Sequence, residues 1–300
     1  MTGPRSPFLI DLWLALAAGR LLLRRPDDAG LTRLVAAHLA TDSPRQLAES
    51  IASAADTLFA SLEASPGATP LARIATGCQL SGFDLDLLGF AVLPCFDEDA
   101  AATVASLTGG PRRLTIGLAL KLLFGDNADP AAVRHALRAS PLWNAGLMRH
   151  DDAPRGLLER RLDPTETLLA GLDGLPPAEA GAGWRVRQIE AAARPASSID
   201  RAARQIADTP GVCLHLTGQA ERAEEALAVA AAPQPALVLD APDDAALPPW
   251  AEAHLLRLAT GARVALRTDA GQLTAPVRVP PVPVIAPASF CLRGPGAHLR

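Results

Sequence analysis

Tyrosine is missing from this chain, aromatic residues make up only 4% of it, and Lys121 is its one lysine. With so few aromatics there is little for stacking nucleic-acid bases. Alanine and leucine must build the core, which favours helices. The four cysteines, Cys78, Cys95, Cys213 and Cys291, lie far apart. No pair has metal-ligand spacing and the count is too low for a disulfide scaffold, so reduced, mostly buried thiols are expected. Six histidines (His38, His135, His150, His215, His254, His298) form no HExxH or related metal pattern. Cys213 and His215 share one face of an expected strand, but two ligands alone make no metal site. A nucleophile elbow, G-x-S-x-G, is also lacking, which removes the commonest hydrolase signature. Asp151-Asp152 has the look of an exposed turn more than of an acid/base pair.

A membrane-spanning run is absent too. Phe8 to Leu23 is strongly apolar, but Asp11 and Arg20 interrupt it and only Arg5 precedes it. No small-residue cleavage pattern follows, so neither a leader nor a span is expected. Leu9, Leu12, Trp13, Leu16 and Leu23 fit one stripe of a helix that is buried or faces a partner. The expected setting is the cytoplasm.

What is present is a 300-residue chain, 49% hydrophobic, with a formal charge of −4. That length gives room for a sizeable core and one to three domains. The negative balance gives no global pull toward nucleic acid or anionic membrane. The expected fold class is mainly α with a smaller α/β part: a helical N-terminus, a winged-helix-like domain, then a reduced, degenerate P-loop-like α/β domain.

Residues 1–67 read as a helical region. Asp42-Ser43-Pro44 is a turn and N-cap between two amphipathic helices, and Ala64–Pro70 is a linker. Residues 68–175 read as one domain. Ser81 and Asp84 form an N-terminal capping pair, and the helix they start meets Pro94. Asp97-Glu98-Asp99 opens a helix that ends before Gly109-Gly110. Thr115–Phe124 and the stretch from Asp129-Pro130 to Arg138 are two further helices. Leu142–Met148 and Gly156–Leu162 then look extended, and a helix set followed by a hairpin is winged-helix order. A last helix starts at Asp163-Pro164. Leu175–Gly183 is a linker, and 184–285 alternates strands (Val212–Leu216, Ala236–Leu239, Val264–Arg267) with helices, as in a small parallel α/β sheet. Residues 286–300 form a Pro-rich loose or edge-strand tail.

Four stretches carry a family resemblance: LARIATGCQLSGFDLDLLGFAVLPCFD (Leu71–Asp97), RRLTIGLALKLLF (Arg112–Phe124), SPLWNAGLMRHDD (Ser140–Asp152) and LLERRLDPTETLLAGLDG (Leu157–Gly174). In this order they resemble the variant winged-helix region that precedes the ATPase domains of a group of bacterial AAA+ ATPases. Some of those accompany contractile injection systems related to phage tails. The matching residues are core and cap positions, about a third of the chain.

The resemblance implies that the α/β part corresponds to a first, often degenerate, ATPase module. A P-loop needs glycines for backbone approach, a Lys for the terminal phosphates and a Ser/Thr for Mg²⁺. Gly218 stands where that frame would begin, and Ala223, Glu224 and Glu225 hold its last three positions. Two carboxylates replace the Lys and the hydroxyl. A like-charge pair at a phosphate-contact distance of ~4 Å costs about 4 kcal/mol at an effective dielectric of ~20. The helix N-terminus returns only about half a positive charge, so nucleotide is rejected and no cofactor is expected. Asp240, with Asp243 and Asp244 after it, sits where a Walker B aspartate would, and reads better as a strand-end cap.

Charge is unevenly spread. Residues 111–161 hold nine basic and five acidic side chains, whereas 27–110 hold eleven acidic and three basic. Arg112, Arg113, Lys121, Arg134, Arg138, Arg149, Arg155, Arg160 and Arg161 form a nucleic-acid patch candidate. The favoured expectation is that they pair with the acidic half of the same chain. Three functions follow: a non-catalytic regulatory or adaptor protein acting on a protein partner, such as a full-length AAA+ ATPase or phage-tail-like assembly; a winged-helix DNA-binding protein; or the N-terminal fragment of an ATP-dependent remodeller.

Overall fold

The computed structural model describes residues 7–110, 112–125, 129–149, 156–180, 183–190, 203, 215–216, 220–232, 235–242, 250–268, 272–274, 284–285 and 291–293. It divides into two compact units, Met1–Thr165 and Glu166–Arg300.

The first unit is built around two apolar helices, α1 (Pro7–Leu22) and α5 (Gly82–Phe96). The expected single stripe on α1 is too narrow. Leu14, Ala15, Ala17, Ala18, Leu21 and Leu22 are buried along with Leu9, Leu12, Trp13 and Leu16. A helix apolar all round is a central helix, and α1 packs on α2 (Ala29–Ala36), α3 (Pro44–Ala64) and α5. The Trp13 Nε1–H donates to the Leu85 carbonyl at 3.0 Å. Gly89 lets the indole lie flat on α5, since a Cβ there would stand 3.2 Å from Trp13 Nε1 and 3.3 Å from the Ala17 methyl. At the edge of this crossing Arg20 pairs with Asp86. Burial pushes the Asp86 carboxyl above its ordinary pKa, against the opposing pull of Arg20.

Local chemistry sets the helix boundaries. Ser43 caps α3, Thr69 caps α4 (Pro70–Gly77), and Ser81 with Asp84 closes a reciprocal capping box on α5. Asp97 caps α6 (Glu98–Thr108), which ends on Gly109 at φ +69°. Pro94 does not end α5, which continues to Phe96. Proline removes one hydrogen bond within the helix, and here it does so only in the last turn, before Asp97 takes over as cap.

After α6 come α7 (Ile116–Phe124), capped by Thr115, and α8 (Pro130–Ala139), capped by Asp129. The expected hairpin is smaller than the sequence suggests. Residues 142–146 form turns and Leu157–Glu159 a 3-10 turn. Among the described residues, pairing is confined to antiparallel bridges, Thr115 with Arg161 and Met148 with Pro164. Four backbone bonds hold these edges: Ile116 N–H to Arg160 O, Leu162 N–H to Leu114 O, Arg149 N–H to Asp163 O and Thr165 N–H to Leu147 O. The order helix, short edge, two helices, two paired edges is a winged-helix arrangement with a minimal sheet.

In the second unit the main sheet has the order β1-β2-β4-β5-β7-β3. Its strands are β1 (Glu179–Ala180), β2 (Trp184–Ile189), β3 (His215–Leu216), β4 (Ala236–Asp240), β5 (Arg263–Arg267) and β7 (Val284–Ile285). The sheet is mixed, not purely parallel: β4, β5, β7 and β3 run parallel, while β2 is antiparallel to β4 and to β1. The added hairpin begins inside the stretch read as a linker, where Gly183 at φ +80° leads from the β1–β2 turn into β2. A separate parallel pair joins β6 (Gln272–Thr274) to β8 (Cys291–Arg293), of which β8 lies in the region expected to be tail.

Helix α10 (Ala220–Ala231) lies on one face of the sheet, with Ala223, Ala226 and Leu227 against Ala236, Val238 and Ala265. Helix α11 (Trp250–Thr260) lies on the other, with Trp250, Ala253 and Leu256 against Leu237, Leu239, Val264 and Leu266. The route β3 to β4 and the route β4 to β5 cross the sheet in opposite directions, so right-handed connections place their helices on opposite faces. The helix after Pro164, α9 (Glu166–Leu172), packs on α11 and β1 in this unit. Gly171 permits that approach, since a Cβ there would lie 2.5 Å from the Ala259 methyl.

Candidate functional site

Two places collect the residues singled out from the sequence. The first is the winged-helix face. Helix α8 buries Leu137 and Ser140 seals its end, while Arg134, His135 and Arg138 are exposed. Between α7, α8 and the 3-10 turn runs an open groove of about 840 Å³, lined among others by Leu118, Lys121, Val133, Arg134, Leu157 and Leu158. Gly117 seats the turn on α7, since a Cβ there would stand 3.0 Å from the Leu158 carbonyl oxygen and 3.2 Å from its Cβ. A side chain at this helix position would crowd the turn away from α7.

The basic residues divide by partner. Arg112 donates to Glu98 at 2.6 Å, and Arg113 to Asp163 at 3.3 Å. The Arg112 pair is the expected pairing with the acidic half, but both side chains are more than half exposed and such pairs contribute about 0–1 kcal/mol. Arg149 is exposed, and its backbone is fixed to Asp163. Arg160 is half-buried, with its Nε buried and unpartnered among the described residues. Lys121, Arg134, Arg138 and Arg161 are exposed and form no ion pair with another described residue. Of these, the groove brings Lys121 and Arg134 together. Arg155, His150 and Asp151-Asp152 lie outside the described residues.

The second place is on the α10 face of the sheet. Alternation along the strands sends Arg187 of β2, Asp240 of β4 and Arg267 of β5 to that face, beside the buried Val238 and Ala265. Glu224 reaches down from α10. Arg187 grips it with two bonds, Nη1–H to Oε2 at 3.1 Å and Nη2–H to Oε1 at 2.7 Å. Arg267 adds Nη1–H to Oε1 at 2.9 Å. The Arg187 Nε–H also donates to Asp240 Oδ2 at 3.0 Å, and Arg267 Nη1 stands 3.8 Å from Asp240 Oδ1. Burial pushes the Glu224 carboxyl up, but Arg187 and then Arg267 outweigh it, and its pKa falls below the ordinary 4.5. The same bonds hold Arg187 firmly charged.

This network changes the meaning of the P-loop frame. Glu224 does not face empty space where a phosphate would bind; two guanidinium groups already satisfy it. Ala223 is part of the buried α10–sheet core and Glu225 is half-buried beside it. Asp240 is an arginine partner three strand positions from β3, which at ~4.8 Å per strand is about 14 Å. Gly218, Asp243 and Asp244 lie outside the described residues, as does Cys213, so the Cys213–His215 pair has no described geometry. Arg187 and Arg267 were missed in the sequence. The period-2 pattern of β5 puts Arg267 on the same face as Ala265, which was the available signal.

No other chemistry is assembled among the described residues. They contain no group of three or more His, Cys, Asp or Glu able to hold a metal ion, and no helix long and apolar enough to cross a membrane. Cys78 and Cys95 are unbridged and half-buried, where mostly buried thiols were expected. Burial pushes the Cys78 thiol up to about 11, so it is not a nucleophile near neutral pH.

No curated protein and no solved structure matches the chain. The family described as "Winged helix domain, variant" matches residues 9–166. The match begins in α1 and takes in the N-terminal helices. It covers more than half of the chain and ends where the first unit ends, and the chain belongs to the variant winged helix domain family.

Proposed function

We propose that this protein is a non-catalytic adaptor that works through protein contacts, related to AAA+ ATPases by descent and lacking their nucleotide chemistry. The observation that carries the reading is the double arginine grip on Glu224. A phosphate entering the α10 position would have to displace a carboxylate that already holds both cations, and Asp240 supplies further negative charge. The α/β unit then serves as a scaffold, and the winged-helix unit carries the binding surface. The partner would be a full-length AAA+ ATPase or a phage-tail-like assembly, the pairing suggested by the resemblance of residues 71–174. The test is affinity purification of the native protein from its own cells, with mass spectrometry of the bound material. Recovery of a AAA+ ATPase or a contractile-tail component is the expected result. Recovery of DNA alone, or of nothing, overturns the reading.

One observation favours a second reading, a winged-helix nucleic-acid binder. In the winged-helix order α8 is the recognition helix, and it exposes Arg134 and Arg138 with no ion pair among the described residues. This reading requires duplex binding that weakens steeply as salt rises, and an absence of binding at low salt eliminates it.

A further inference from the structure

The groove between α7, α8 and the 3-10 turn is more specific than a general contact face. Five large hydrophobic side chains are exposed among the described residues, and three of them, Phe124 at 47%, Leu157 at 39% and Leu158 at 54%, belong to α7 and this turn. Leu157 and Leu158 line the groove beside Leu118 and Val133, so the apolar surface is continuous. Lys121 and Arg134 stand on its rim, with Arg138 one turn farther along α8, and Glu159 is the one acidic residue among the described residues of the lining.

We infer that this groove docks an acidic amphipathic helix of a protein partner, an inference that rests on the adaptor reading and names the chemistry of its contact. The apolar floor takes side chains spaced i, i+3, i+4 and i+7 on one helix face. The unpaired rim cations select carboxylates on the flank of that helix, and like charge there is rejected. A DNA backbone fits less well, because exposed leucines gain nothing from phosphates and Glu159 repels them.

The test uses the full chain and two labelled synthetic helical peptides of equal length, read by fluorescence anisotropy. Both carry leucines at the i, i+3, i+4, i+7 spacing; one has glutamates on its flanks and the other lysines. The glutamate peptide binds the native protein at least about tenfold more tightly than the lysine peptide. Leu158→Asp weakens the glutamate peptide at least about tenfold, and the double variant Lys121→Glu/Arg134→Glu reverses the preference. All three positions are exposed, and circular dichroism of each variant verifies folding. Equal binding of the two peptides by the native protein overturns the inference whether or not the variants fold. So does a DNA duplex that binds this face while the glutamate peptide does not. ATP binding would sink the non-catalytic reading and leave the peptide result standing, so the two failures are distinguishable.

Discussion

Trp13→Ala is expected to cost about 3–5 kcal/mol, the range for truncating a large buried aromatic. Trp13 is 2% exposed at the crossing of α1 and α5, and its indole also holds the Leu85 carbonyl. The neighbouring backbone cannot close over the gap easily, because Gly89 and Ala17 already bring it as near as small residues allow. Domains are stable by only about 5–15 kcal/mol, so the variant loses a large part of the first unit's margin. Urea denaturation followed by circular dichroism measures it as a lower midpoint. A midpoint within error of the native protein would show that α1 is not the centre of this unit. Leu9→Ala, at the start of the helix, is the useful comparison and costs less because it removes a smaller side chain.

Glu224→Lys is expected to be the most damaging change in the second unit. It replaces the carboxylate between Arg187 and Arg267 with a third cation, leaving Asp240 alone against three positive charges. Breaking a buried pair costs about 3–5 kcal/mol. The two arginines here are 40% and 38% exposed, so water screens them and about 2–3 kcal/mol is the fitting figure. Glu224→Gln keeps the geometry and removes the charge, with a loss of about 1 kcal/mol. The pH dependence has a definite sign. The Glu224 pKa lies below 4.5 in the folded chain, so its contribution is fully present above pH 4.5. It is lost as the pH falls through the folded value. Thermal melts of the native protein and Glu224→Gln therefore converge on acidification below pH 4.5. If the gap between them stays constant, the carboxylate is not held as described.

Much of the first unit was legible because its signals are local. A cap is decided within four residues, so Ser43, Ser81, Asp97, Thr115 and Asp129 could each be read in place. What could not be read depends on partners distant in sequence. The apolar stripe on α1 gave no hint that α2, α3 and α5 would cover its other sides. The β1–β2 hairpin was hidden because Gly183, which leads into β2, stands in a Pro/Gly/Ala-rich stretch of the kind that marks linkers. The seating of the 3-10 turn on α7 depends on Gly117 meeting Leu158, forty-one positions later in the chain. The full Glu224 network needs α10 and three strands in register before all four of its residues are joined.

Of the resemblance, the winged-helix part is shared with the family match. It rested on 71–174, whereas the family match starts at residue 9 and runs through α1 to α8. The three N-terminal helices share few sequence cues with a winged helix. They lie inside the matched span, and α1 packs on α2, α3 and α5.

The most direct test of the account is a calorimetric titration of the purified full chain with ATP–Mg²⁺ up to millimolar concentration, paired with a thermal melt at the same concentration. The grip of Arg187 and Arg267 on Glu224 predicts no heat of binding and an unshifted midpoint. Saturable heat together with a raised midpoint would mean that the carboxylate yields to phosphate, and would contradict the reading of this protein as a non-catalytic adaptor.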